Sequence, residues 1–132
     1  MTALALAAPA GASAADEATK LAKARERWAA QAARDYTYRI RVSCFCPVTD
    51  FTTVRVRDGM PRGTPRRLRA FDTIEELFAR IGEELDRGGD PDARYRPRTG
   101  APRGFDADPL PRAIDDEYTI AVRRVRITRR GQ

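Results

Sequence analysis

Apolar residues recur along this chain at two spacings, and each spacing predicts a kind of element. Between Asp16 and Arg34, Leu21, Ala24, Trp28 and Ala32 fall three or four apart in a stretch of strong helix formers free of Gly and Pro. That spacing predicts a first helix with Trp28 as the anchor of its apolar face. Asp16 and Glu17 at its start and Arg34 at its end suit the helix dipole. From Tyr36 the period becomes two. Tyr36, Tyr38, Ile40, Val42, Cys44 and Cys46 alternate with mainly polar neighbours, predicting a strand that buries its even face and ends at Pro47.

A second strand follows from Phe51 to Arg57 with Val54 and Val56 inward, and Asp58-Gly59 is a strong hairpin signal because both turn positions favour positive φ. The return segment Met60 to Arg69 holds Pro61 and Pro65, which cannot donate to a ladder, so it reads as a short edge strand. Helix two opens with Asp72 as its cap and Glu75 reaching back, and Ile74, Leu77, Phe78, Ile81 and Leu85 carry its apolar stripe to a stop at Gly88-Gly89. Its outer face is acidic, with Glu75, Glu76, Glu83, Glu84 and Asp86. A brief strand at 93–96, a turn around Thr99 to Pro102 and a short piece through Phe105 lead to a last strand, Glu117 to Thr128. There Tyr118, Ile120 and Val122 share one parity while Val125 and Ile127 share the other. The phase change at Arg123-Arg124 predicts a β-bulge that returns both sets to one face.

Together these elements predict an α+β fold: a curved antiparallel sheet of about five to six strands, with the N-terminal helix and the second amphipathic helix on one face. The aromatic residues, Phe51 included, are mostly accounted for as core. Phe45 is the exception, since its parity points away from the even face.

The first 14 residues are uncharged, rich in Ala and Leu, and end in Ala12-Ser13-Ala14, the small-x-small pattern read by signal peptidase. They read as a signal-peptide remnant at 1–14, cleaved after Ala14, with a start codon further upstream. The remaining 15–132 form a single domain, destined for a secreted or periplasmic location. No segment approaches the ~18 apolar residues of a membrane span. The net charge of +6 and the pI near 10.0 ordinarily raise nucleic acid as a partner. Here the positive charge is nearly all Arg, spread from Arg25 to Arg130 rather than gathered in one stripe. An exported chain meets anionic envelope surfaces or other envelope proteins, and nucleic acid is not expected as its partner.

Cys44-Phe45-Cys46 is the most unusual local feature. Residues two apart in an extended chain sit near the ~7 Å limit for a bridge, so a ring requires the backbone to turn at Phe45. A structural disulfide, a reduced pair, and a redox or metal pair all stay open. The acidic residues Asp106, Asp108, Asp115, Asp116 and Glu117 form a candidate cation site, although their spacing matches no EF-hand loop. With no His and no Gly-x-Ser-x-Gly elbow, triad chemistry lacks its base. No cofactor is implied.

The order of features is similar to one known family. A helix carrying Trp28, a Tyr-rich strand ending in Cys44-Phe45-Cys46-Pro47, Val54 to Gly59, the Thr73 to Phe78 helix start, Tyr95, Gly100-Ala101-Pro102, Asp108 and Asp115 to Tyr118 resemble the domain of unknown function 6174 family. The resemblance spans Trp28 to Val125. It implies an exported or lipid-anchored bacterial protein with no assigned activity. Members usually carry Gly-Tyr-Pro where this chain has Gly100-Ala101-Pro102, so Gly100 and Pro102 join Phe45 as candidate ligand or partner contacts. The chain therefore reads as a non-enzymatic binding or interaction module of the cell envelope. The alternative is thiol/disulfide redox or other enzyme chemistry at Cys44 and Cys46.

Overall fold

A computed structural model of the chain describes residues 9–43, 50–107 and 117–129. Helix α1 spans Pro9–Gln31 and helix α2 spans Ile74–Asp86. The strands are β1 Tyr36–Ser43, β2 Thr52–Arg57, β3 Met60–Arg62, β4 Arg94–Tyr95, β5 Pro102–Ala107 and β6 Tyr118–Ile127. They form one open antiparallel sheet in the order β3-β2-β1-β6-β5-β4. Strand β1 therefore lies between β2, its neighbour in sequence, and β6, the last element.

Period-two alternation buries Tyr36, Tyr38 and Ile40 of β1, Val54 and Val56 of β2, Phe105 of β5, and Ile120 and Val122 of β6. Leu21, Ala24 and Trp28 of α1 and Ile74, Leu77, Phe78 and Ile81 of α2 join them in one core on one side of the sheet. Each fully buried aliphatic or aromatic side chain contributes roughly 1.5–3 kcal/mol, so this layer is the main source of stability. Trp28 meets Tyr36 edge to face, with ring centroids 5.1 Å apart. The expected bulge is present. Thr37 pairs with Arg126 but Arg39 pairs with Arg123, so two residues of β6 face Tyr38, and Arg124 sits at φ +54. Val125 and Ile127 thereby pack against the same core as Ile120.

Polar groups join the layers. The Tyr36 hydroxyl accepts the N–H of Ile74, a donor with no partner inside the first turn of α2, and donates to Glu75 Oε1 at 3.2 Å. The Tyr38 hydroxyl donates to the carbonyl of Phe71. Asp58 and Gly59 both adopt positive φ, as the hairpin signal requires, and their turn is held from outside: Asp58 N–H donates to Asp35 Oδ1 at 2.8 Å and Gly59 N–H to the Arg34 carbonyl at 2.9 Å.

Several expectations are corrected. Helix α1 begins at Pro9 rather than Asp16 and ends at Gln31, because Ala32 turns left-handed at φ +48; the charges of Asp16, Glu17 and Arg34 therefore do not sit in its terminal turns, and Ala32 is exposed. Thr73, not Asp72, caps α2: its Oγ1 accepts the Glu76 N–H at 3.0 Å, while Asp72 is buried and burial raises its carboxyl above the usual range. The edge strand stops at Arg62, and the segment after Pro65 winds into a 3-10 turn, Arg66–Phe71. Glu84 is buried and paired with Arg87 at 2.8 Å rather than lying on an open acidic face. Helix α2 does end at its glycines: Gly88 takes φ +82, and the N–H groups of Gly88 and Gly89 donate to the carbonyls of Leu85 and Glu84.

Candidate functional site

The helices cover one face of the sheet, and alternation sends the intervening residues to the other. That second face carries Arg39 and Arg41 on β1, Arg55 and Arg57 on β2, Arg62 on β3, and Arg123 and Arg126 on β6. The arginines that are scattered in the sequence are therefore gathered by the sheet, which corrects the reading of a dispersed charge. Register places Arg39 directly opposite Arg123 and Arg55 directly opposite Arg62. Like charges facing each other across strands destabilise a sheet. Among the described residues, none of these seven arginines forms an ion pair. Asp106 is the one acidic residue that the described strands place on this face, and its Oδ1 accepts the Thr119 hydroxyl at 2.9 Å.

Phe51 organises the centre of the face. The guanidinium carbon of Arg123 lies 4.0 Å from its ring centroid and that of Arg41 lies 4.9 Å away, within reach of cation–π attraction. Arg39 donates from Nη2 to the Phe51 carbonyl at 3.2 Å. Phe51 is thus a support for charge, not the core residue expected. The Nε–H groups of Arg39 and Arg41 are buried and have no hydrogen-bond partner among the described residues. The Nη–H groups at the ends of these guanidiniums are the donors that carboxylate and phosphate oxygens accept. Thr37 and Thr53 stand between the arginines and add hydroxyl donors.

A second basic region lies where α1 meets β4 and β5. Lys20, Lys23, Arg27, Arg94 and Arg103 surround Tyr95 and Pro97 in an open groove of about 460 Å³. Lys20 is partly neutralised by Glu17 at 3.5 Å. Burial, with the adjacent charge of Arg103, pushes the Arg96 guanidinium below its ordinary range.

The sequence-derived candidates fall elsewhere. Cys44, Phe45 and Cys46 lie outside the described residues, as do Asp108, Asp115 and Asp116. Asp106 and Glu117 are both exposed and line a cleft of about 600 Å³ with Glu84, Arg87 and Asp90. Among the described residues, no group of three or more His, Cys, Asp or Glu is placed to hold a metal ion. Pro102 is fully buried beside Tyr95. Gly100 is buried at φ +82, where a Cβ would stand 2.3 Å from the Ala24 carbonyl oxygen. Its role in this structure is to let the β4–β5 turn press onto α1. The arginine face was the feature missed. Its signal was present as Arg residues at the outward parity of each strand, but it becomes a surface only once strand order is known.

Among the described residues no helix is long and apolar enough to cross a membrane. Residues 20–127 match the family model described as a family of unknown function, DUF6174. No curated protein and no solved structure matches the chain.

Proposed function

The chain belongs to this family of unknown function, and we propose that it is an exported, non-enzymatic binding module of the cell envelope whose open sheet face takes an anionic partner. The observation that carries this reading is the gathering of seven outward arginines, two pairs of them directly opposed, with no ion pair among the described residues. Opposed like charges cost stability in the free protein, and an anion set between them turns that repulsion into attraction. The Ala12-Ser13-Ala14 pattern supports export. Leu21 is the first buried residue among those described in α1, so a mature chain starting at Ala15 keeps these core contacts.

The test is the affinity of the full chain for inorganic polyphosphate. Wild type binds, and binding weakens with salt as the Debye length shrinks below about 10 Å. The double variant Arg55→Glu, Arg57→Glu loses most of that affinity while melting no lower than wild type, because Arg62 then faces a carboxylate. Equal affinity of the variant and wild type contradicts the reading. Mass spectrometry of the secreted chain tests export, with an N-terminus at Ala15 as the expected result.

A further inference from the structure

We propose that the arginine face docks flat on a bilayer rich in anionic phospholipid, an inference that rests on the anion-binding reading above. Its charges are arranged in two dimensions. They repeat every ~7 Å along a strand and every ~5 Å between strands, and they extend over β1, β2, β3 and β6. A linear polyanion follows one row of such an array, whereas a sheet of headgroup phosphates meets all of it.

The rest of the face fits the same partner. Single-stranded nucleic acid is held by aromatic rings on which bases stack, but Phe51, the aromatic residue that the described residues place on this face, has Arg41 and Arg123 over its ring. A second copy of the chain cannot lay the same face on this one without opposing positive charge to positive charge. At the rim, Met60 pairs with Arg57 across the β2–β3 hairpin and is 61% exposed, the exposed large apolar side chain among the described residues. One exposed methionine alone means little. Beside Arg57 and Arg62, it stands where guanidiniums on the phosphates would bring it into the headgroup layer.

The experiment is cosedimentation of the full chain with vesicles of phosphatidylglycerol and phosphatidylcholine in equal parts, against vesicles of phosphatidylcholine alone. The expected result is binding to the anionic vesicles only, reversed by salt. Arg55→Ser with Arg57→Ser weakens it about 25-fold, at about fivefold per arginine held near an anionic surface. Met60→Ser lowers vesicle binding severalfold and leaves polyphosphate affinity unchanged; an unchanged vesicle affinity would overturn the insertion. Equal binding to both vesicle types, with arginine-dependent polyphosphate binding intact, overturns docking on lipid but not the anion-binding reading. Loss of both overturns both. Tighter binding to a single-stranded oligonucleotide than to the anionic vesicles at the same salt also overturns the proposal.

Discussion

Trp28 of α1 donates its indole N–H to Glu75 Oε2 of α2 across 2.9 Å, and this bond ties the two helices at their contact. The other carboxylate oxygen receives the Tyr36 hydroxyl at 3.2 Å, so one side chain joins α1, α2 and β1. Glu75→Ala leaves two donors without their acceptor and is expected to cost about 2 kcal/mol, with Glu75→Gln costing about half of that. Urea denaturation of the two variants measures both values. Equal stability of Glu75→Ala and wild type would show that the carboxylate is not a link.

Arg124 occupies the bulge of β6 at φ +54, a conformation that costs a side-chain-bearing residue about 1 kcal/mol. Arg124→Gly should therefore gain roughly 0.5–1 kcal/mol. Deleting Arg124 acts in the same direction. It removes the extra residue, so Val125 and Ile127 take the parity of Ile120 and Val122 and stay on the core face without a bulge. Thermal melts of both variants should lie at or above that of wild type, and a lower melt of the deletion variant would contradict this register.

Gly100 has two reasons to be glycine, a left-handed φ of +82 and the Ala24 carbonyl 2.3 Å from where a Cβ would stand. Gly100→Ala is expected to destabilise by about 3 kcal/mol. Hydrogen exchange should then accelerate first in the β4–β5 turn and in the part of α1 it touches.

Burial raises the pKa of all four tyrosine hydroxyls: Tyr36, Tyr38, Tyr95 and Tyr118. Their ordinary value in an unfolded chain is about 10. The folded protein keeps these protons where the unfolded chain releases them, so their stabilising contribution is whole below about pH 10 and declines as pH rises beyond it. Tyrosinate absorbance should accordingly appear together with loss of the folded circular-dichroism signal. Normal titration near pH 10 in a folded chain would contradict the buried positions.

The fold was legible in the sequence because its elements are local. The alternation of Tyr36, Tyr38 and Ile40, the Asp58-Gly59 turn, the apolar stripe of α2 and the phase change near Arg124 each depend on neighbours a few residues away. Boundaries were harder where adjacent residues compete: Asp72 and Thr73 both match a helix cap, and only the first-turn geometry selects Thr73. The candidate site was not legible for a different reason. Arg39 and Arg123 are far apart in the chain and become neighbours because β6 returns to the edge of β1 left open by β2. Phe51 likewise reads as core by type, yet at the outward parity of β2 it faces Arg41 and Arg123.

The claim that the open sheet face is the binding surface is tested most directly by backbone amide NMR during titration with inorganic polyphosphate. The account predicts that shifts concentrate at the outward positions Arg39, Arg41, Arg55 and Arg123, with the buried positions of α1 and α2 unmoved. Shifts confined to the groove of Lys20, Lys23 and Arg103, or to the helices, would contradict it.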